Sequence, residues 1–456
     1  MDTKQLRQKI LDLAIRGKLV PQDPNDEPAS VLLERVKAEK ERLIAEGKIK
    51  RSKKSAASSD KPHYPFEIPN TWVWTTLGEL FILQAGKNIT ADKINYEKND
   101  EYRYPCYGGN GIRGYVVHYN KSGKYPIVGR QGALCGNLNY VEGKFYATEH
   151  AVPVETFAET IPYLAFLFLK QINLNQYATA TAQPGLSVNK ILDVPIPLPP
   201  KEEQARIVQE VLRLEAIVES IETNKEELFK SLSKVKATIL EYAISGKLVQ
   251  QDPSDEPAEV LLKRVNPNAV VSADTSHYSI PNTWIWVKLS DIFEINPKNH
   301  NNDDEDDCGF VPMSYVQDGY SGEHTFEVRK WGKVKKGYSH FQNGDIGVAK
   351  ISPCFENLKS TIFHSLPNNI GAGTTELVIM RGKEIFAPFF LYLFKSPWYI
   401  SKGTVYFKGV VGQQRVSRDI FTSLEVPLPP LNEQKRISAK VDELFAVIDQ
   451  IQQSLE

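Results

Sequence analysis

Apolar side chains recur from Ile207 at Val211, Leu214, Val218, Ile221, Leu228, Leu232, Val235, Ile239 and Tyr242. The steps alternate four and three once Lys225 fills the missing place, a heptad seam that marks a helix packed lengthwise on another helix. This predicts a helix over 202–244, about 65 Å long at 1.5 Å per residue. Pro199 and Pro200, with Glu202 and Glu203 in the first turn, form its start, and Gly246 its stop. A last helix repeats the seam 230 residues further on, at Ile437, Val441, Leu444, Ile448, Ile451 and Leu455. A first helix carries Leu6, Ile10 and Leu13, which match Val235, Ile239 and Tyr242. The two ends of the chain therefore read as one further copy of the central helix, cut in its middle. They are expected to meet and to lie antiparallel to the intact copy, if a pseudo-two-fold axis relates the repeats. Ordinary amphipathic helices, each packing on its own domain, are the alternative.

The repeat extends beyond the helices. Lys9-Ile-Leu-Asp-Leu-Ala-Ile-Arg-Gly-Lys-Leu-Val20, Gln22-Asp-Pro24 and Asp26-Glu-Pro-Ala29 return 229 residues later as Thr238-Ile-Leu-Glu-Tyr-Ala-Ile-Ser-Gly-Lys-Leu-Val249, Gln251-Asp-Pro253 and Asp255-Glu-Pro-Ala258. Ile68-Pro-Asn-Thr-Trp-Val-Trp74 returns as Ile280-Pro-Asn-Thr-Trp-Ile-Trp286, and Pro197-Leu-Pro-Pro200 with Glu203-Gln204 as Pro427-Leu-Pro-Pro430 with Glu433-Gln434. What lies between these landmarks does not repeat. A duplicated frame with two different inserts is how one chain reads two different things at a fixed separation.

The expected fold is mixed α+β: two β-rich globular domains joined by long antiparallel, coiled-coil-like helices, pseudo-two-fold with adjacent termini. Its parts are a helical segment at 1–45, a linker at 46–62, a domain at 63–200, helices at 201–265, a second domain at 266–430 and a last helix at 431–456. The linker is basic, rich in small residues and aperiodic, a tether. The paired tryptophans are core anchors at the entry of each insert. Residues 125–129 and 140–146 have strand composition and 161–170 reads as a buried helix. In the second insert 344–350 and 376–380 are strands and 387–394 the matching helix, so the inserts share an architecture and differ in their loops.

Composition narrows this only a little. A chain of 456 residues, 41% hydrophobic, has room for several cores. Cys106, Cys135, Cys308 and Cys354 form no CxxC pair and have no histidine at zinc spacing, which argues against disulfides and structural zinc. Neither a signal peptide nor an apolar run of membrane-spanning length stands out, so a cytoplasmic location is expected. A net charge of −1 neither supports nor excludes nucleic acid, because a polyanion needs a local basic face. Asp303-Asp-Glu-Asp-Asp307 lacks the glycine and terminal glutamate of a calcium loop and reads as a solvated loop facing away from any DNA.

No P-loop, HExxH, GxSxG or adenine-methyltransferase signature is present. His150 beside Glu149 reads as structural. Gly109-Asn-Gly-Ile-Arg-Gly114 satisfies GxGxxG, yet strand-like Tyr115-Val-Val-His-Tyr119 follows where a dinucleotide site needs a helix. The surrounding 102–115 tract, with its arginines, asparagine and aromatics, suits a base-reading loop or a plain hairpin. Residues 329–336 carry five positive charges and a tryptophan, fit for phosphate contact or for a solvated face. Gly412-Gln-Gln-Arg-Val-Ser417 offers groups that pair with purine edges, and Ala182-Gln-Pro-Gly-Leu-Ser187 is its counterpart.

Together these motifs resemble, over essentially the full chain, the specificity subunit of type I restriction-modification systems. The resemblance rests on the Pro-Leu-Pro-Pro and Glu-Gln ends of the inserts, the Ala-Ile-x-Gly-Lys-Leu-Val segments and the Pro-x-x-Trp starts. It rests equally on Tyr107-Gly-Gly-Asn-Gly-Ile112, and on Gly344-Asp-Ile with Ile351-Ser-Pro353. It implies that each insert is a target recognition domain reading half of a bipartite, asymmetric DNA site. The helices would set the spacer and dock two modification subunits, with restriction subunits joining the complex. The chain itself would hold no metal, cofactor or catalytic residue; S-adenosylmethionine, ATP and Mg2+ would belong to the partners. Candidate DNA contacts are then Lys87, Tyr107, Asn110, Arg113, Tyr115, Arg130, Gln131, Gln183 and Ser187 in the first insert. In the second they are Lys330, Lys333, Lys335, Lys350, Ser352, Gln413, Gln414 and Arg415. The alternative is a non-catalytic scaffold whose two domains bind proteins, distinguished by the absence of salt-dependent duplex binding.

Overall fold

A computed structural model describes residues 2–49, 65–132, 134–157, 159–179, 184–272, 278–300, 302–405, 407–409 and 414–455. Most of the predicted linker, together with Gln183, Gly412 and Gln413, lies outside them. The chain forms two compact units, residues 1–224 and 225–456, and their boundary falls inside the long central helix. Among the described residues no helix is long and apolar enough to cross a membrane.

Unit one begins with α1 (Thr3–Ile15) and α2 (Ala29–Ala45). Its insert contains β1 (Val73–Thr76), β2 (Ile82–Leu83), β3 (Tyr104–Gly108), β4 (Gly111–Val116), β5 (Lys121–Gly129), β6 (Leu138–Ala147) and β7 (Ala151–Glu155). Then follow α3 (Pro162–Ile172), the short α4 (Val188–Ile191), β8 (Pro195–Leu198) and α5 (Lys201–Ile244), whose first half belongs to this unit. Six strands form one sheet in the order β2-β7-β5-β6-β3-β4, with only β3 and β6 parallel. β1 and β8 pair antiparallel, Val73 opposite Leu198, and so close the insert where it leaves the frame.

Unit two takes the second half of α5, then α6 (Ala258–Val265), β9 (Ile285–Lys288), β10 (Phe293–Ile295), β11 (Asp307–Val311), β12 (Glu327–Lys330) and β13 (Ser339–Phe341). It continues with β14 (Ile346–Ala349), β15 (Ser360–Ile362), β16 (Gly371–Gly373), β17 (Leu377–Gly382), α7 (Ala387–Lys395) and α8 (Pro397–Val405). Last come β18 (Phe407–Lys408), β19 (Arg415–Val416), α9 (Asp419–Thr422), β20 (Glu425–Leu428) and α10 (Leu431–Leu455). One sheet, β10-β17-β14-β15, has the order of β2-β7-β5-β6, and β9 closes on β20 as β1 does on β8. The shared architecture stops there. The β3–β4 hairpin extends the first sheet, whereas β12-β11-β16-β13 is a separate sheet.

The repeated motifs become intelligible as one clamp made twice. In unit one Trp72 Nε1 donates to Glu203 Oε2 (2.9 Å) and Gln22 Nε2 donates to Glu203 Oε1 (2.6 Å). Gln204 accepts from the Ile161 N–H (3.0 Å) and donates to the Pro199 carbonyl (3.1 Å), and Arg206 pairs with Asp26. In unit two Trp284 and Gln251 donate to Glu433 (2.8 and 2.5 Å), Gln434 bridges Phe386 N–H and the Pro429 carbonyl, and Arg436 pairs with Asp255. A buried carboxylate is tolerable only when so satisfied. Gly17 and Gly246 end their helices at φ +66 and +70, and a Cβ there would sit 2.5 and 2.4 Å from Pro69 and Pro281. Only glycine fits both demands.

The helix seam holds in unit one and shifts in unit two. Ile207, Val211 and Val218 are buried, with Leu214 and Ile221 partly so, and share a core with Ile10, Leu11 and Ala14 of α1. The helices run antiparallel: Arg7 pairs with Glu215 and Glu222, while Gln22, past the end of α1, reaches Glu203. In unit two Leu232 is buried as expected and Ile239 is half-buried, but Leu228, Val235 and Tyr242 are exposed. Lys236, Leu240 and Ala243 are buried instead. After Lys225 the next inward residue is Phe229, four places on. A strict 3.5-residue repeat drifts about 20° per heptad on a 3.6-residue helix, and one longer step brings the face back. Lys236 pairs with Asp449 and lies 5.0 Å above the Phe445 ring. On α10 Ile437, Val441 and Ile448 are buried and Leu444 is half-buried, with Phe445 buried beside them. The sequence repeat survives the correction, since Leu11, Ala14 and Ile15 of α1 are buried like Leu240, Ala243 and Ile244.

Candidate nucleic-acid interface

The two inserts place a cation at the same point of their shared strands. β5 ends at Gly129; the Arg130 N–H donates to the His150 carbonyl (2.9 Å), and the Leu186 N–H donates to the Arg130 carbonyl (2.8 Å). β14 ends at Ala349; the Lys350 N–H donates to the Glu376 carbonyl (2.9 Å), and the Val416 N–H donates to the Lys350 carbonyl (2.8 Å). A bridge joins Gln131 to Gly185 in one unit and Ile351 to Arg415 in the other. Lys350 therefore stands where Arg130 stands, Arg415 where Gly185 stands, and Glu376 where His150 stands. One backbone arrangement carries different side chains.

In unit one several predicted residues converge on this strand end. The Thr148 N–H donates to the Tyr107 carbonyl, and the Lys87 N–H to the Ala147 carbonyl, both at 3.0 Å. A Cβ on Gly129 would lie 1.8 Å from the Gly109 carbonyl oxygen, so glycine lets the β3–β4 turn rest directly on β5. Asn110 Nδ2 at that turn would lie 3.9 Å from a Cβ on Gly132, while Ser187 follows the strand partner Leu186. Lys87, Asn110, Arg113 and Gln131 are exposed, and the Arg113 stem lies along Gly108. Arg130 is half-buried, its guanidinium donating to the carbonyls of Glu149 (3.3 Å) and Leu186 (3.4 Å). Tyr107 is half-buried edge-on to Phe145, and burial pushes its phenol upward. Tyr115 sits further along β4, half-buried, its backbone bridged to Asn95. β4 begins at Gly111, inside the GxGxxG string, so no helix opens there.

In unit two the picture is redrawn. Lys350, Arg415 and Arg418 border a cleft of about 390 Å3 floored by Ile295, Val378 and Phe421. The exposed Arg415 forks onto Glu376, and this guanidinium holds the Glu376 carboxyl below its ordinary range. Gln414 is half-buried, and its carbonyl accepts from the Ser352 N–H (2.8 Å). Ser352 itself is buried, with its hydroxyl on Glu356 (2.8 Å), so it is not a presented contact. The 329–336 tract is engaged from within its own unit: the acidic run, read as a solvated loop, folds onto it, Lys330 pairing with Asp307 (3.0 Å) and Lys335 with Asp304 (2.5 Å). Trp331 is buried, and Arg329 pairs with Glu327 above the Phe310 ring. Of the five cations in this tract, Lys333 and Lys336 are exposed and the other three half-buried. Spacing alone could not show that the two oppositely charged runs meet.

Sequence reading missed Glu376, Arg418 and Asn296, which lie around the same cleft or strand end. The signal that could have found Glu376 was the matching of residues 182–187 with 412–417, followed across the sheet to the strand that pairs with each.

A family profile described as "Type I restriction modification DNA specificity domain" matches residues 69–230 and 281–456. The specificity subunit of the Escherichia coli type I restriction enzyme EcoAI is 42% identical over 240 residues, 49% of this chain and 41% of that protein. The aligned part thus spans about two-fifths of that relative. The EcoDI specificity subunit from Escherichia coli is 21% identical over 396 residues, covering 85% of this chain and 84% of its own. A solved structure titled for assembly and conformational transition of the type I R-M system superposes at TM-score 0.53 and 16% identity. It covers 86% of this chain and 94% of its own, which is a likeness of fold.

Proposed function

The chain belongs to the type I restriction-modification DNA specificity family, and we propose that it reads DNA sequence, each unit reading half of a bipartite, asymmetric site. The observation that carries this is the matched strand end. Arg130 and Lys350 occupy equivalent positions on a duplicated frame, with different groups around each. Such a pair of sites has one docking geometry and two chemistries, which is what two unlike half-sites require.

The chain performs no chemistry in this reading. It docks two methyltransferase subunits on its helices, and restriction subunits through the complex, in the cytoplasm. S-adenosylmethionine, ATP and Mg2+ bind those partners. Within each unit a terminal helix pairs with its half of α5, Arg7 with Glu222 in one and Lys236 with Asp449 in the other, which supports one helix pairing made twice. Binding of the full chain to duplex should weaken steeply with salt, log K falling linearly with log salt concentration as counterions are released. Salt-independent binding, or none, refutes the reading.

The central helix then acts as a spacer. Seven residues inserted between Asn224 and Lys225 fall at the unit boundary and lengthen it by about 10 Å at 1.5 Å per residue. Mapped modification sites should show about three more unread base pairs at roughly 3.4 Å each. An active complex that keeps its original spacing would show that the helix does not measure distance.

A further inference from the structure

We propose that Arg415 and Glu376 form a guanine-reading head in unit two, with Glu376 as its positioning residue; this rests on the DNA-reading function above. A guanidinium has five N–H donors. Arg415 gives Nε–H to both Glu376 oxygens (3.1 and 2.9 Å) and one Nη2–H to Oε1 (2.8 Å). Among the described residues nothing else accepts from the group, and one Nη1–H with the second Nη2–H forms its end-on edge, the other Nη1–H turning back toward Cδ. The Arg415 side chain is 50% exposed. Two parallel donors at this spacing match the O6 and N7 acceptors of guanine, whereas adenine offers N7 beside a donor and would clash.

The pair is built to hold that edge still. The Glu376 carboxylate is only 24% exposed, its N–H donates to Thr374 Oγ1 (3.2 Å), and its carbonyl accepts the Lys350 N–H. Arginine loses considerable rotamer freedom on binding, and a carboxylate that fixes it beforehand removes much of that cost. The carboxylate also offsets the guanidinium charge, so the head attracts a phosphate less than a bare arginine would. Lys350 and Arg418, on the same cleft, form no ion pair among the described residues, although Lys350 lies near enough to Glu376 to help lower its carboxyl, and they suit the backbone. In unit one the equivalent places hold Gly185 and His150, so this head serves one half-site only.

The test selects duplexes from a random-sequence pool with the full chain and its Arg415→Ala, Arg415→Lys and Glu376→Gln variants. The selected site is then rebuilt with 7-deazaguanine, which lacks the N7 acceptor, at each guanine in turn. For the wild type, one guanine in one half-site should be sensitive, affinity falling about ten- to a hundred-fold, the range of a bidentate base contact. Arg415→Ala should lose the same factor on natural DNA and become indifferent to 7-deazaguanine there. Glu376→Gln should keep the guanine at lower affinity, and the other half-site should stay unchanged in every variant, which also reports folding. An exposed ion pair contributes little to stability, so melting should barely move. Arg415→Ala selecting the same site at wild-type affinity, or a wild-type site with no guanine in the half altered by these variants, overturns the inference and leaves the DNA-reading function standing. Failure of the wild type to enrich any site overturns both.

Discussion

Replacing Glu433 by alanine should cost unit two about 2–5 kcal/mol, because two donors lose their shared acceptor at once. Trp284 Nε1 and Gln251 Nε2 both point at this carboxylate, which is 1% exposed. For a unit of this size the loss corresponds to roughly 5–15 °C in melting temperature. Glu433→Gln should cost less, since its amide oxygen still accepts one of the two donors. Burial is the main influence on the Glu433 carboxyl and raises it, opposed by Trp284, Gln251 and Arg436. A carboxyl raised on folding contributes stability that is complete below its unfolded pKa of about 4.3 and is lost as pH rises through the folded value. Glu433→Gln should therefore flatten the decline in stability above that pH. Thermal unfolding of the full chain across pH checks both statements. An alanine variant that melts with the wild type would mean the clamp is ornamental.

The clamp also explains which parts of this fold were legible beforehand. Glutamate, glutamine, tryptophan and glycine recur at fixed places because each makes an obligatory buried bond or a φ that no other residue supports, so repetition reveals the frame even without contacts. The central helix was readable from Pro199 to Gly246 for similar local reasons, and its observed span, Lys201–Ile244, agrees. Its inward face beyond Lys225 was not, because a heptad count treats the helix as repeating every 3.5 residues and cannot sense where the drift is corrected. The strand ends were harder still. Arg130 and Lys350 were visible as cations, but their equivalence depends on the partners of β5 and β14, which are distant in sequence. The 329–336 tract left phosphate contact and a solvated face both open, and spacing could not show that Asp304 and Asp307 pair with two of its five cations. Local charge density says nothing about what a neighbouring loop brings.

Exchanging the first insert should rewrite one half of the recognised site and leave the other untouched. The structure supplies the cut points. β1 and β8 are paired side by side, Thr76 opposite Pro195, so a foreign insert can enter after Thr76 and leave before Pro195 through one closed ladder. Trp72, Glu203 and Gln204 all lie outside the cuts, so the Trp72–Glu203 bond stays whole. Gln204 needs only a backbone N–H where Ile161 now stands, which any residue but proline supplies. The insert's core does reach the frame, since Leu164 and Phe168 of α3 pack in one cluster with Ile10, Leu11 and Trp72. A donor should therefore keep apolar residues of similar volume at those two places, or lose about 2–5 kcal/mol to a cavity for each large side chain truncated. With that condition met, residues 77–194 from a relative of different specificity should transfer its half-site whole. Mapping modified bases in cells that carry the chimera with its partner subunits decides the matter. A change in both halves, or in neither, would mean that recognition is not housed in separate inserts and that the matched strand ends are a relic of duplication rather than two readers.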